Sequence, residues 1–329
     1  MENHPVVDLA VAEGRAVDAG TASPGTERPA ADDGTAVFAA ERPRLTGIAY
    51  RITGSLADAD DVVQEAWLRF SKAGPESIER PAAWLTTVVA RVALDHLKAA
   101  RREREVYVGP WLPEPIASDP LSISRPGPEE MAELASSLTL GFLHVLETLS
   151  PVERVVFVLA DVFDVPFKEI ASTVGKSPDA CRQMASRARR RVHDARPQRY
   201  SPPDDDAARV VAQMLAATTA GDVDGLVRLL AEDAVLVSDG GAHKRAARYP
   251  IKGRDRLARF LANIGKRYDT ASATIEPVTL NGELGIVISL RGQREAAMSF
   301  EVENGLVREV HIIAADDKLA ALDRPIDMV

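Results

Sequence analysis

The sequence contains one cysteine, Cys181, among 329 residues. An internal disulfide is therefore excluded, and a zinc site built from cysteines is not expected. The chain also lacks any apolar run near the ~20 residues that a membrane-spanning helix needs. Residues 1–36 lack the basic start and apolar core of a signal peptide. We therefore expect a cytoplasmic protein with no membrane partner, and no motif indicates a cofactor or a metal.

The net charge of −9 argues against a protein that coats nucleic acid along its whole length. Basic charge is nevertheless concentrated in one segment, because eight Lys and Arg residues lie between Lys176 and Arg199, against only Asp179 and Asp194. Local charge decides contact with nucleic acid more than the total does. This segment is therefore a candidate DNA-binding element.

Composition and periodicity divide the chain into six segments. Residues 1–36 have the composition of a disordered extension. Two helical segments, 37–105 and 129–199, are separated by a linker, 106–128, which contains the run YVGPWLPEPI. A second linker, 200–205, precedes residues 206–329, which begin with a helical pattern up to residue 234 and continue as strand-like runs with Asn-Gly turns. The expected fold is two all-α domains followed by an α+β domain.

Residues 167–192 have the pattern of a helix-turn-helix. Phe167–Val174 forms one short amphipathic helix, Gly175 permits a left-handed turn, and Pro178 starts a second helix. Ala180, Met184 and Ala188 are expected to pack inward. The other face would present side chains suited to base edges in the major groove, namely Ser177, Asp179, Arg182, Gln183, Ser186, Arg187 and Arg190. The alternative is a solvated basic face on a helix of a bundle.

Residues 37–199 resemble a bacterial sigma factor of the extracytoplasmic-function type. "RPRLTGIAYRITGSLADADDVVQEAWLRF" is similar to regions 2.1–2.2, and "RPAAWLTTVVARVALDHLKAARRERE" is similar to regions 2.3–2.4. "LSPVERVVFVLADVFDVPFKEIASTVGKSPDACRQMASRARRRV" is similar to region 4. The resemblance implies that the protein binds core RNA polymerase, through the β′ coiled coil and the β flap, and promoter DNA.

The same resemblance implies roles for particular residues. Region 2.2 would contact the polymerase through Asp60, Asp61, Gln64 and Glu65, although an ordinary solvated helix face has the same spacing. The −10 element would be captured by the loop 77–80 and the helix after it, through Arg80, Asp95, His96, Lys98, Arg101 and Arg102. Trp84 could stack on a flipped base, but its helical spacing favours a core position. Region 4 would read the −35 element through the outer face of the second helix.

Residues 206–329 resemble the SnoaL-like α+β fold, a conical barrel whose cup could hold a small molecule. Some relatives are isomerases or cyclases that use Asp or His as acid or base. Asp239, His243 and His311 are candidates here. Asp239 is equally explained by a turn in "SDGGAHK", and His311 by a buried position in the strand "REVHIIA". We therefore expect no enzymatic activity.

A narrower resemblance is to sigma factors with a fused SnoaL-like extension that regulates the sigma core in cis. That subgroup carries "WLPEP", which stands here as Trp111–Pro115. Its other motifs are only partly kept, at residues 239–244 and 317–319. The resemblance implies an interdomain role for Trp111, Leu112, Pro113, Glu114, Pro115, Asp239, Gly240, Gly241, Lys244, Asp317, Lys318 and Leu319.

We interpret the prolines of the linker as holding it extended, so that Trp111 and Leu112 insert between the sigma regions and the C-terminal cup. The alternative is that Trp111 packs locally on region 2. Two other function classes stay open at this point. One is a ligand-sensing helix-turn-helix regulator that does not engage polymerase, and the other is an isomerase- or cyclase-like enzyme with a DNA-binding module.

Overall fold

A computed structural model describes residues 33–104, 107–118, 137–195, 205–267 and 272–324. Several predictions lie outside these residues: the disorder of 1–32, the linker segments 119–128 and 200–204, the start of the second helical segment at 129–136, and the end of the basic segment at 196–199. Within the described residues, no helix is both long and apolar enough to cross a membrane.

The first helical unit is a three-helix bundle, made of α1 (Asp33–Thr53), α2 (Leu56–Ala73) and α3 (Pro81–Arg104). The apolar stripes of the helices meet in a core that includes Ile48, Val62, Phe70, Leu85 and Val89, all fully buried. The helix α1 begins at Asp33, so residues 33–36 are helical rather than part of a disordered extension. The start of α1 packs on the loop after α2, where Pro75 lies against Gly34.

The second helical unit consists of α4 (Leu140–Leu146), α5 (Pro151–Phe157), a π-helical turn (Val158–Val162), α6 (Phe167–Val174) and α7 (Pro178–Ala195). A capping box between Ser150 and Glu153 starts α5. Gly175 ends α6 in the left-handed conformation, with φ 67°, as the helix-turn-helix pattern predicts.

The buried face of α7 differs from the prediction. Cys181, Ala185 and Ala188 form its fully buried line, whereas Ala180 and Met184 are only half-buried. The spacing of four and three residues keeps the three buried side chains on one stripe, and their small size lets α7 approach α5 closely.

The C-terminal domain packs helices on a seven-stranded sheet of order β1-β4-β5-β6-β7-β2-β3, in which β1 (Ala117–Ser118) comes from the linker. Its helices are α8 (Asp205–Ala220), α9 (Val223–Leu229), α10 (Arg254–Arg267) and α11 (Asp316–Leu319). Its own strands are β2 (Leu230–Asp239), β3 (Ile251–Lys252), β4 (Ala273–Leu280), β5 (Glu283–Leu290), β6 (Gln293–Glu303) and β7 (Leu306–Ile313). The strands β2 and β7 are parallel, and all the other pairs are antiparallel.

One sequence prediction for this domain is corrected, and one helix was missed. The helical pattern does not run to residue 234, because β2 starts at Leu230 and pairs there with Val307. The helix α10 was not predicted. The Asn-Gly turns are as predicted, with φ 53° at Asn281 and 51° at Asn304, followed by left-handed glycines.

The two faces of the sheet have different partners. One face is covered by α8, α9 and α10, where Met214, Leu226 and Leu261 pack with Phe300 and Val310. The opposite face, which we call the junction face, turns towards the helical units. Its apolar cluster joins strand residues to a linker residue and to α4, and contains Leu112, Leu140, Val237, Leu280, Val287, Ala297, Ile313 and Leu319.

Candidate functional site at the linker junction and the DNA-facing surfaces

Trp111 lies between the first helical unit and the C-terminal domain. The guanidinium of Arg104, at the end of α3, lies 3.3 Å from the centre of the Trp111 ring, and Lys318 Nζ lies 4.0 Å from it. On its other edge the indole touches the turn after α1, because a Cβ built on Gly54 would come within 2.7 Å of it. Two cations and a glycine from two different domains therefore hold the ring.

Leu112 docks on the junction face and is fully buried. Its N–H donates to Asp239 Oδ2 at 2.8 Å, and its carbonyl accepts from Lys318 Nζ. The linker was expected to insert between the sigma regions and the C-terminal cup. In the structure Leu112 lies on the junction face, between Leu140 of α4 and the strands of the sheet, whereas apolar side chains from α8, α9 and α10 fill the helix-covered face.

Asp239 and Lys318 form a buried ion pair under the linker. Their side chains are 0 % and 4 % exposed, and Lys318 Nζ lies 2.5 Å from Asp239 Oδ2. Asp239 also accepts from the hydroxyl of Tyr107 and from the N–H of Gly241 at 3.0 Å. Burial lowers the pKa of Lys318, and Asp239 opposes this shift. Burial and the hydrogen bond to Asp239 raise the pKa of Tyr107.

Glu114 connects the linker to the N-terminus of α2. Its carboxylate accepts from Leu56 N at 2.7 Å and from Ser55 Oγ at 2.9 Å, where the positive end of the helix dipole stabilises a negative charge. Its backbone N–H donates to Gly54 O at 2.9 Å, and its carbonyl accepts from the hydroxyl of Tyr50 at 2.6 Å. The glutamate of the WLPEP run is thus a helix cap supplied from another part of the chain.

The remaining positions of the run suit a buried connector. Pro113 and Pro115 are buried and have no N–H group that would need a partner there. Past them, Ile116 exchanges hydrogen bonds with Asn281, and Ala117–Ser118 forms β1 at the edge of β4. Asn281 also donates to Leu138 O and to the Tyr50 hydroxyl, both at 2.9 Å. One turn of the sheet therefore contacts the linker and both helical units.

A charge network connects the two helical units behind Trp111. Glu147 accepts from Arg104 Nη1 at 2.9 Å and also from Arg154. Arg154 is buried, and its Nε donates to Arg51 O at 3.0 Å. Burial raises the pKa of Glu147, but the two arginines outweigh it and hold the pKa below its usual value.

The other residues predicted at the junction have different positions. Gly240 and Gly241 form the turn after Asp239, and Leu319 belongs to the junction-face cluster. Asp317 is exposed and lines a cleft of about 240 Å³ beside Trp111 and Lys318. Lys244 does not reach the linker, because it pairs with Glu295 at 3.2 Å and Asp316 at 2.8 Å within the C-terminal domain.

Asp239, His243 and His311 are not brought together as acid–base catalysts. Asp239 is engaged with Lys318 and the linker, and His243 is exposed in the loop after β2. His311 is buried on the junction face, 3.6 Å from Glu309, and its ring centre lies 6.5 Å from that of His144 on α4. Burial lowers the pKa of His144.

The predicted polymerase-binding face of α2 is open to solvent. Asp60, Asp61 and Gln64 are exposed, and Glu65 is partly exposed and pairs with Arg69 at 2.8 Å. Leu68 lies on the same face and is 55 % exposed. Leu68 was not predicted as a contact residue from the sequence.

A cleft of about 810 Å³ opens beside the predicted −10 residues. The loop 77–80, the start of α3 and two residues of α6, Glu169 and Ser172, line it. Arg80 pairs with Glu169 at 3.0 Å across this cleft. Trp84 packs on Phe70, with ring centres 5.8 Å apart, and also lines the cleft.

The other predicted −10 residues lie along the C-terminal half of α3. Asp95, Lys98 and Arg102 are exposed, and Asp95 pairs with Lys98 at 3.2 Å. His96 lies 3.4 Å from Asp58 on α2. Arg101 donates to Leu149 O at 2.8 Å and so faces the second helical unit.

Arg91 also connects the two helical units, a contact that was not predicted from the sequence. Its guanidinium donates to Ser172 O at 2.7 Å and to Thr173 O at 3.3 Å, in the last turn of α6. A cation at this end of a helix satisfies its free carbonyls. Arg91 therefore ties the first helix of the helix-turn-helix to α3.

The outer face of α7 is exposed along its length. All seven predicted −35 residues are solvent-accessible, namely Ser177, Asp179, Arg182, Gln183, Ser186, Arg187 and Arg190. Asp179 pairs with Arg182, and Glu153 lies 3.9 Å from Arg187. Arg189 pairs with Asp161 in the π-helical turn, and Arg191 pairs with Glu153 on α5.

Comparison with known proteins agrees with this arrangement. Family models match for sigma-70 region 2 over residues 37–103, for sigma-70 region 4 over 140–192, and for the SnoaL-like domain over 211–321.

Two curated relatives from Mycobacterium tuberculosis match most of the chain. The ECF RNA polymerase sigma factor SigJ is 39 % identical over 291 residues, which are 85 % of this chain and 91 % of SigJ. The probable ECF RNA polymerase sigma factor SigI is 29 % identical over 294 residues, covering 88 % of this chain and 96 % of SigI. The crystal structure of SigJ superposes with a TM-score of 0.69 at 35 % identity, covering 88 % of this chain and 99 % of that one. The chain belongs to the extracytoplasmic-function sigma factors of RNA polymerase, and it carries a SnoaL-like domain at its C-terminal end.

Proposed function

We propose that this sigma factor directs promoter-specific initiation with core RNA polymerase, and that its C-terminal domain regulates it in cis through the linker. The burial of Leu112 and the ring of Trp111 between the first helical unit and the C-terminal domain carries this proposal. A flexible connector would leave both side chains in solvent. Here the same short segment holds three parts of the chain in one arrangement.

Polymerase binding is assigned to α2. Asp60, Asp61 and Gln64 form an exposed acidic and polar face around Leu68. An apolar centre with a charged rim is the usual anatomy of a protein interface. We assign this face to the β′ coiled coil and the second helical unit to the β flap. We call the arrangement in the structure, with the linker docked on the junction face, the closed arrangement. Because this face of α2 is exposed to solvent in the closed arrangement, polymerase can dock there before the domains separate.

The −10 and −35 elements are assigned to the two helical units. The loop 77–80, Trp84 and the exposed face of α3 border a cleft large enough for an unstacked base. Arg182, Gln183 and Arg187 present the groups that pair with base edges in the major groove. Since α6 lies over the −10 cleft and α7 is free, the closed arrangement opposes −10 capture more than −35 contact.

The protein acts in this proposal as a transcription factor rather than an enzyme. The acid–base candidates of the C-terminal domain are occupied at the junction face or exposed in a loop. A small-molecule ligand in the cup stays a prediction from the fold, because the helix-covered face is packed with apolar side chains.

Run-off transcription with purified bacterial core polymerase tests the proposal. We expect wild-type protein and Val108→Asp to give the same promoter-specific product, since Val108 is an exposed linker residue. Leu112→Asp would bury a carboxylate on the junction face, release the linker and raise the yield severalfold. Equal yields from all three proteins would overturn regulation in cis. Absence of a promoter-specific product from every protein would overturn the sigma role.

A further inference from the structure

The C-terminal domain carries a concentrated basic surface that the functions above do not use. Residues 245–259, the end of the loop after β2 and the start of α10, contain six cations and one carboxylate, Asp255. The six are all exposed, namely Arg245, Arg248, Lys252, Arg254, Arg256 and Arg259. We call residues 245–259 the basic loop. In a chain with a net charge of −9, this local excess is not explained by composition.

Within the part of the chain that the structure describes, these cations have no counter-ions of their own. Across the described ranges of the chain, none of the six side chains takes part in a hydrogen bond or an ion pair. The arginines of α7 differ, because Asp161 and Glu153 neutralise Arg189 and Arg191. Unpaired guanidinium groups on one short segment create a positive potential that attracts an anionic partner.

Tyr249 stands in the middle of the basic loop and is 80 % exposed. Pro250 follows it and restricts its backbone to extended conformations. An exposed aromatic ring among unpaired arginines is the combination that binds single-stranded nucleic acid, in which bases stack on the ring and phosphates pair with the cations. Duplex DNA would use the cations but would offer the ring no free base face.

The backbone of the basic loop is fixed at several points. Ala247 N donates to Ser238 Oγ at 2.8 Å, and Gly253 N donates to Ala234 O at 2.8 Å. Lys244, just before the loop, is anchored by its pairs with Glu295 and Asp316. A preformed surface binds with a smaller loss of conformational entropy than a mobile loop does.

The position of the basic loop adds to this argument. A Cβ at Gly109 would lie 3.5 Å from Arg248 Cα, so the loop touches the linker five residues after Arg104, where α3 ends. The exposed Lys98 and Arg102 of α3 lie in that last part of the helix. The basic loop therefore lies beside the segment of linker that leaves the −10 helix.

We infer that the basic loop binds a single strand of DNA, and that this strand is the part of the opened promoter next to the −10 element. The strand's phosphates contact the arginines, and one base stacks on Tyr249. Binding of a single strand by the basic loop does not require polymerase. The identification of that strand as part of the opened promoter rests on the proposed function.

Fluorescence anisotropy with a labelled single strand of twenty thymidines, and with a duplex of the same length, tests the inference on the full-length protein. Tyr249→Ala should weaken strand binding by about tenfold, within the ~1–3 kcal/mol that stacking contributes, and Tyr249→Phe should restore it. Both variants should leave duplex binding unchanged. Removing Arg245, Arg248 and Arg256 together should lower the slope of log K against log salt by about 2, at ~0.7 for each phosphate contact.

Arg228→Ala/Arg291→Ala is the matched control, because both arginines are exposed in the same domain and outside the basic loop. It should bind the strand like wild-type protein. Unchanged strand binding by the basic-loop variants would overturn the inference. Equal losses for strand and duplex would also overturn it, in favour of general attraction to DNA.

Weaker core polymerase binding with normal strand binding would instead assign the loop to a protein partner. Normal transcription by these variants would leave the sigma role intact.

Discussion

At the residue scale, Gly54 shows how closely the linker is fitted to the first helical unit. Its φ of 74° favours glycine, and a Cβ there would overlap the Trp111 ring. Gly54→Ala should therefore displace the indole and expose the linker. We expect faster hydrogen exchange of the amides of Trp111, Leu112, Glu114 and Ile116, measured by mass spectrometry on the full chain.

The control for this prediction is Gly175→Ala. Gly175 has a similar φ of 67°, but no atom lies within 4 Å of a Cβ built there. Both variants carry the backbone strain of ~1 kcal/mol that a left-handed residue costs, and only Gly54→Ala meets the indole. Identical exchange of the linker amides in the two variants would show that Trp111 is not held against this turn.

The ion pair of Asp239 and Lys318 gives a second prediction at the residue scale. Lys318→Met leaves a buried carboxylate without its cation, which costs about 3–5 kcal/mol. The double variant Asp239→Asn/Lys318→Met should recover most of that loss, because neither charge stays buried alone. Urea unfolding of the two single variants and the double variant measures the coupling. Strictly additive losses would contradict the pairing.

The sequence predicted which residues meet at the junction better than how they meet. The WLPEP run, Asp239, Lys318 and Leu319 were all expected there. The role of Glu114 as the cap of α2 could not be predicted, since Leu56 is 58 residues away and only the folded chain brings them together. The same reason explains why Arg91 was missed, because its partners Ser172 and Thr173 belong to the other helical unit.

At the scale of elements, α6 is the helix that closes the −10 cleft. Arg91 holds its C-terminal carbonyls, and Glu169 pairs with Arg80. An exposed ion pair contributes little, ~0–1 kcal/mol, whereas hydrogen bonds to a charged group contribute ~1.5–3 kcal/mol each. Arg91→Met should therefore loosen α6 and speed hydrogen exchange in residues 167–174 by about tenfold.

Arg69→Met is the matched control for that measurement. Arg69 lines the same cleft, and its partner Glu65 belongs to its own helix. It should leave exchange in α6 unchanged. Slow exchange of α6 in both variants would mean that Arg91 does not hold the helix, and that packing alone closes the cleft.

Elements with a local signal were predictable and elements set by tertiary pairing were not. The helix-turn-helix follows from an apolar stripe, Gly175 and Pro178, and the hairpins follow from Asn281 and Asn304. The start of β2 at Leu230 follows from its pairing with β7 instead, and overrides a continuous helical pattern. The strand β1, described at Ala117–Ser118, likewise forms by pairing with the edge of β4.

At the scale of the whole molecule, the proposed function requires one chain to contact two promoter elements that lie far apart. Positions −10 and −35 lie roughly 80 Å apart along the duplex axis, at 3.4 Å per base pair. In the closed chain α6 instead packs on α3, and Glu147 links Arg104 to Arg154. In the proposed function, productive initiation therefore requires the two helical units to separate, and the linker junction would set how readily they do so.

Energy transfer between fluorophores on the two helical units tests this claim most directly. Cysteines at Lys72 and His193, both exposed and outside the assigned contact faces, take the labels, because the native Cys181 is buried. We predict high transfer in the free wild-type protein and in Val108→Asp, and lower transfer in free Leu112→Asp and in the wild-type complex with polymerase and promoter. The same high transfer in all four samples would contradict the account.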